Sequence, residues 1–361
     1  MKKKLLLKYG IGIDMGSKKF DVCITSEWDD GHQKIESTKR FDNTASEHKN
    51  FHQWVEKHRK NKEVPYQILI EVTGVYHEKL LYYLYDVGAA VCLEMPKRVK
   101  HYLQSIGQYS KTDKLDSKGI SRMACERKLT KWKPGSKHIR ELRVVLRHRK
   151  SLIKSKNQFK NQLHALNHSS LEAKQIKDSL MEMIEKLDQQ VKVIEAEALR
   201  ISKQDKAQHE KAEMIAGSIM GLGIISLLTV LSETNGFEDM RSQKQLESYA
   251  GFDVVENSSG NHIGKTRISK RGNVHLRTAM YMPVVTMVRL KPKVFYDLYE
   301  RLVRRNGGLK KRAMVAVQRK LLVMIYTLWK KNEKFDPDYQ SKKHHETEKE
   351  VVLTLNQHYA G

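Results

Sequence analysis

The sequence has only three cysteines in 361 residues, at Cys23, Cys92 and Cys125. They are scattered without ligand spacing, which argues against a disulfide framework and a thiolate metal site. They read as buried fillers in a reducing compartment. Long apolar runs are also missing: nothing approaches the roughly 18 consecutive apolar residues of a spanning helix. The N-terminus, MKKKLLLKYGIGID, has a basic start. Its apolar stretch is too short for a signal peptide and no cleavage site follows, so it reads as a first strand of an intracellular protein. Acidic residues are scarce, with 42 Asp and Glu against 67 Lys and Arg, a net charge of +25. That field makes nucleic acid the default partner, through phosphate neutralisation and counterion release, with a membrane surface the weaker alternative. Finally, positions 138–205 contain no glycine or proline, so long helices are expected there.

What remains has ample apolar content for real cores, 39%, and a length that suggests two or three domains. Ile11 and Ile13, then Phe20, Val22 and Ile24, alternate as strands do around Gly-Ser-Lys-Lys, giving a hairpin with Asp14 at the end of its first strand. A third strand is expected near 33–41, and a helix over 45–60 with Phe51, Trp54 and Val55 on one face. YQILIEVTG is a continuous apolar strand ending in Glu71, as in a sheet covered on both faces. A helix from His77 to Tyr85 and a strand AAVCLEM complete an α/β order. Residues 97–133 read as mostly helical and basic, and place Asp113 and Asp116 on one helix face. Pro134-Gly135 marks a break. Two long helices follow. On the second, Leu180, Ile184, Leu187, Val191 and Ile194 step with heptad spacing, so it is a coiled-coil candidate; a helical hairpin packed within one molecule and a dimerising arm both fit. Gly-Leu-Gly at 221–223 is a turn between helices, either phosphate-binding or plain packing. Helices are expected over 274–290 and on both sides of a basic Gly-Gly turn, and residues 335–361 read as a polar tail.

Two sets of residues carry chemistry. The first is Asp14, Glu71, Asp113 and Asp116. An acid on the first strand, one on a strand paired to it and two on one helix face can converge as hard oxygen ligands for Mg²⁺ in phosphodiester chemistry. Singly, each is as well explained as a cap or a solvated charge. The second is the stretch 256–277, ENSSGNHIGKTRISKRGNVHLR, which packs Ser258, Ser259, Thr266 and Ser269 among Lys265, Arg267, Lys270, Arg271 and Arg277. It has almost nothing to bury, and its hydroxyls and cations are the groups that hold phosphate. The basic charge is blocked: 19 Lys/Arg against 4 Asp/Glu over 97–156, and 17 against 2 over 265–330. Two nucleic-acid surfaces follow, one beside each set. His77 reads as a packed helix-start residue outside the catalytic set, and Trp54, Trp132 and Trp329 as core.

GIDMGSKKFDVCI, IEVTGVYHEKLLYYL and KTDKLDSKGIS, in that order, resemble the RuvC-like, DEDD-type nuclease domain of insertion-sequence 110-type transposases. IMGLGIISLLTVLSE, QLESYAGF and SSGN through RISKRGNVHLRTAM resemble that family's C-terminal transposase domain. The resemblance implies an RNase H-like fold over 1–135, a coiled-coil arm over 136–208, a mainly α transposase domain over 209–334 and a tail over 335–361. It implies Mg²⁺ at Asp14, Glu71, Asp113 and Asp116. It implies recombination of donor and target DNA guided by a structured bridge RNA, in a dimer or tetramer held by the coiled coil, in the bacterial cytoplasm at the nucleoid. It also implies a serine nucleophile and a covalent phosphoserine, falling on Ser259, with Ser258 beside it. Lys265, Arg267, Lys270, Arg271 and Arg277 become nucleic-acid contacts. One departure is that GFDVVENSSG lacks the proline this family often carries there. Two other classes fit the residues: a RuvC-like junction resolvase or nuclease using water, and a non-catalytic nucleic-acid-binding protein.

Overall fold

A computed structural model describes residues 4–339, except 73, 111, 256–257, 260–261, 264–266 and 306; at 258–259 and 262–263 it describes the backbone alone. The proposed contact Lys265 lies outside the described residues, as does the tail beyond 339. The chain divides into two compact units, Met1–Pro134 and Gly135–Gly361.

In the first unit, strands β1 (Leu6–Met15), β2 (Lys19–Trp28), β3 (Gln33–Asp42), β4 (Tyr66–Glu71) and β5 (Val91–Glu94) form one sheet in the order β3-β2-β1-β4-β5. The first three pair antiparallel, while β4 and β5 run parallel to β1. Helices α1 (Ala45–His58) and α2 (Glu78–Asp86) cover one face. There Ile11, Ile13, Phe20, Val22, Ile68 and Ile70 pack on Phe51, Val55, Leu80 and Leu84. Helices α3 (Pro96–Ser105) and α4 (Asp113–Glu126) lie on the other face, built around Leu69, Cys92, Val99, Leu103 and Ile120. Coverage on both sides is why Ile68, Leu69 and Ile70 are consecutively apolar and buried rather than alternating. Residues 97–133 are mostly helical as expected, but their last segment is not. After Glu126 the chain straightens, Lys131 bridges to Cys92, and Trp132 N–H donates to the Val91 carbonyl at 2.8 Å, closing the open edge of β5. All three cysteines are buried and free.

The second unit begins with α5 (Lys137–Asn167) and α6 (Lys174–Ser202), which pack along one another. The heptad stripe of α6 is turned onto α5: Leu180 and Val191 are buried and Ile184, Leu187 and Ile194 half-buried. Arg149–Glu195 and Lys156–Asp188 ion pairs tie the two helices across the seam. The pattern is therefore used inside the chain, as a helical hairpin. Its roots, Leu142 and Leu146 on α5 and Ala198 and Ile201 on α6, enter a common core. That core is shared with α7 (Lys206–Ser218), α8 (Ile224–Glu233), α9 (Gln243–Ala250), α10 (Val274–Leu290), α11 (Lys293–Arg305) and α12 (Lys310–Lys331). Trp329 belongs to it, while Trp54 and Trp132 pack at the rim of the first core. No described helix is long and apolar enough to cross a membrane.

Candidate functional site

The sequence GIGID places Gly10, Gly12 and Asp14 on one face of β1 and the core isoleucines on the other. The glycines let α4 press against the sheet. A Cβ at Gly12 would fall within 3 Å of the Ser117 carbonyl oxygen and Ser121 nitrogen, and one at Gly10 within 3 Å of the Ser121 oxygen and Cys125 nitrogen. Each helical turn thus sits over one inward-facing strand position. One turn before Ser117, the first turn of α4 brings Asp113 and Asp116 over the next position, Asp14. Thr112 caps this helix by accepting from Leu115 N–H at 3.2 Å, and the two acids lie where the helix dipole favours negative charge. Ile13 is registered with Ile70 on β4, so Asp14 and Glu71, one residue further, share a face.

The electrostatics reflect this convergence. Burial, followed by the charges of Glu71, Asp116, Asp113 and Asp21, pushes the Asp14 carboxyl up to about 7. Asp116 is buried and accepts from Gln108 Nε2 at 3.2 Å. Asp113 is more exposed, 3.3 Å from Arg40 Nη2; the same guanidinium holds Asp21 at 2.8 Å. Among the described residues no group of three or more His, Cys, Asp or Glu is arranged to hold a metal ion as it stands. The donor set nevertheless suits one: hard carboxylates whose mutual repulsion raises the central acid are what a divalent cation relieves. Asp14, Glu71 and Asp116 would have to draw together around such an ion. Asp113 would first have to exchange Arg40 for the ion. His77 is buried at the start of α2, its pKa lowered by burial.

In the second unit the serine stretch is a two-tier ribbon. At its base β6 (Val254–Val255) pairs antiparallel with β9 (Arg267–Ile268); beyond it β7 (Ser258–Ser259) pairs with β8 (His262–Ile263), Ser259 opposite His262. The sequence placed this stretch outside the core without assigning it any strand, so these short pairings were not anticipated. The available signal was Gly260-Asn261, a dipeptide suited to two-residue hairpins, between Ser259 and His262 in the sequence.

The ribbon is rooted where YAGF meets ISKRGN. Gly251 ends α9 in the left-handed region (φ 71°), and a Cβ on Gly272 would fall within 3 Å of the Tyr249 oxygen and Gly251 nitrogen. The two backbones therefore touch, and only glycine permits the approach. Asn273 N–H donates to the Tyr249 carbonyl at 2.7 Å, and Ser269 Oγ to Asp253 Oδ1 at 2.6 Å. Arg277 Nη1 donates to the Ala250 carbonyl at 2.6 Å, so this cation is turned into the root. Arg267 and Arg271 are exposed, as is Lys270 at a φ of 52°.

The sequence reading missed a further hub. Glu233, at the end of α8, is almost completely buried, with 3% exposed. It accepts two hydrogen bonds from Arg147 of α5, at 2.7 and 2.8 Å, and one from Asn273 Nδ2 at 2.7 Å. Burial pushes its carboxyl up, but the bonds from Arg147 and Asn273 outweigh this and hold it below the ordinary value. Asn273 Oδ1 in turn caps α10, accepting from His275 and Leu276 N–H. The only sequence signal was a lone acid closing the apolar run IISLLTVLSE.

Comparison with known proteins gives a consistent result. Residues 11–168 match a transposase family of the DEDD, IS110 type, and residues 214–300 match the transposase IS116/IS110/IS902 family. The pilin gene-inverting protein of Moraxella bovis is 27% identical over 332 residues, covering 90% of this chain and 97% of that protein. Its namesake from Moraxella lacunata is 27% identical over 335 residues, with the same coverage. The transposase for insertion sequence element IS1111A of Coxiella burnetii is 24% identical over 274 residues, covering 69% of this chain and 74% of that protein.

Proposed function

This chain belongs to the IS110 family of transposases, enzymes of DNA transposition and recombination, and we propose that it cuts and rejoins DNA strands through a covalent intermediate on Ser259. In this reading residues 1–135 are an RNase H-like, RuvC-like nuclease domain, residues 136–208 an arm and residues 209–334 the serine domain. Asp14, Glu71, Asp113 and Asp116 hold Mg²⁺. The observation that carries the proposal is the gathering of Glu71, Asp113 and Asp116 around a buried Asp14, whose carboxyl is pushed up to about 7 by that burial first and by the neighbouring charges second. So large a perturbation in a carboxylate cluster marks a functional site. The mixed five-stranded sheet, with its acids at the ends of adjacent strands β1 and β4, supports the RuvC-like assignment.

The chemistry balances without an external energy source. The Ser259 oxygen attacks phosphorus, a Ser–O–P bond forms and the P–O3′ bond breaks. The hydroxyl's proton ends on the departing 3′ oxygen. A 3′-hydroxyl of the exchanged strand then attacks the phosphoserine and frees the serine. A divalent cation, when bound, supplies positive charge against the phosphate oxygens. Arg267 and Arg271, exposed beside the ribbon, stabilise charge at phosphorus, and Lys265 and Lys270 grip the strand.

The inverting function in the names of the Moraxella relatives supports strand exchange as the outcome. A structured bridge RNA pairing with donor and target DNA follows from the family resemblance, and the two basic blocks offer surface for it. Dimers or tetramers through the arm would use the outward face of the hairpin, because the heptad stripe is turned onto α5. The test is a pair of variants. Ser259→Ala is expected to abolish both the adduct and strand joining while DNA binding survives. Asp14→Ala is expected to remove Mg²⁺-dependent activity. Cleavage by Ser259→Ala at wild-type rate would instead identify a water-using nuclease.

A further inference from the structure

Between the base of the ribbon and the start of α12 lies a cleft of about 580 Å³. Its floor is apolar, formed by Phe252, Val254, Ile268, Val315 and Ala316. Its rim is cationic: Arg267 and Lys270 on the ribbon side, Lys311 and Arg312 on the helix side. None of these four has an acidic partner among the described residues, whereas Arg319, also lining the cleft, is tied to Glu247. The rim is unfavourable in the isolated protein. Lys310, Lys311 and Arg312 occupy the first turn of α12, which has no acid in it, and cations there oppose the helix dipole. An anion seated in the cleft would relieve that repulsion. Val254 leaves half its surface in solvent, 50%, so the floor is open to a flat apolar group.

We infer that this cleft holds an unpaired nucleotide, its base on the apolar floor and its flanking phosphates on Lys311, Arg312, Arg267 and Lys270. Cleft and nucleotide are complementary in size and chemistry. The volume falls within the range of pockets for small organic groups, and apolar platforms within a cationic groove are how single strands are held. A base stacked in duplex has both faces covered and cannot reach the floor. The ribbon that carries Ser259 forms one wall, so the held nucleotide would lie close to the proposed break. The inference deepens that reading and takes from it the presence of unpaired strand; DNA and RNA share the required chemistry.

The experiment uses full-length Ser259→Ala protein, so that binding is measured without cleavage. The probes are DNA duplexes with 2-aminopurine at one unpaired position, the fully paired counterparts, and RNA of the same design. The cleft should favour the unpaired probe by about tenfold, the order that stacking of one base supplies, with a change in 2-aminopurine emission. Ala316→Trp, which fills the floor, should abolish the preference and the emission change while paired-DNA binding persists. The exposed pair Lys311→Glu and Arg312→Glu, which does not touch the core, should lower the slope of log K against log salt by about 1.4, or 0.7 for each single-strand phosphate. The DNA and RNA arms identify which strand is held. A preference or emission change that survives Ala316→Trp, or a salt slope unmoved by the double charge reversal, would overturn the proposal. Loss of the Ser259 adduct claim would leave these readouts intact, so the two ideas fail separately.

Discussion

At the scale of single residues, two carboxylates respond to pH in opposite directions. Asp14 titrates near 7 in the folded protein, against 3.8 ordinarily, because of its burial and its acidic neighbours. Between those values the folded state keeps a proton that the unfolded chain has released, so stability falls as pH rises through that window. Asp14→Asn should raise the melting temperature of metal-free protein at pH 8 by about 2–4 °C, the shift produced by about 1 kcal/mol in a domain of this size. It should do almost nothing at pH 4, and adding Mg²⁺ to wild type should reproduce much of the gain. A melting temperature at pH 8 that is lower for Asp14→Asn than for wild type would contradict the account. Glu233 behaves conversely. Its carboxyl is held below 4.5, so its contribution is complete above that value and lost as pH falls through the lowered one. Arg147→Met leaves it one strong partner short. The expected cost by chemical denaturation is about 2–3 kcal/mol, less than the roughly 3–5 for a fully buried pair because the Arg147 side chain is half exposed.

At the scale of elements, the key contact is α4 lying flat on β1. Gly12→Ala inserts a methyl against the Ser117 and Ser121 backbone, which cannot rotate away. Overpacking of this kind costs about 1–3 kcal/mol, and the shift of α4 carries Asp113 and Asp116 away from Asp14. A fall of up to about a hundredfold in strand joining is expected, the order that a 1 Å misplacement costs, with the fold retained by circular dichroism. Much of this was legible in the sequence, because period-two alternation, continuous apolar runs and helix caps are local signals. They gave the hairpin, β4 with Glu71 at its end, the first turn of α4 and the long helices. Other features were not legible because they are set by partners far away in the chain. The extended segment after Glu126 exists because β5 had an open edge. The heptad stripe on α6 looked the same whether its partner was another molecule or α5. Arg277 read as a nucleic-acid contact, and the hydrogen bond from its Nη1 to the Ala250 carbonyl, made where two glycines cross, was not visible in the sequence. Glu233 offered only one letter, and its importance lies in Arg147 and Asn273, from other helices.

At the scale of the whole molecule, a net charge of +25, concentrated in the blocks 97–156 and 265–330, makes binding strongly salt-dependent. With six or more phosphate contacts, DNA affinity should fall by at least about a thousandfold between 50 and 200 mM salt; a weak dependence would show that the basic blocks are not the binding surface. The central claim concerns one oxygen, the hydroxyl of Ser259 on a ribbon rooted by the Glu233 network. Its most direct measurement is mass spectrometry of protein trapped on a DNA substrate containing a nicked exchange site, digested with nuclease and protease. The account predicts a nucleotide attached through its 5′ phosphate to Ser259, absent when Mg²⁺ is removed or Asp14 is replaced by alanine. Efficient strand joining with no nucleotide on any serine peptide, or with the adduct on Ser258 instead, would contradict it.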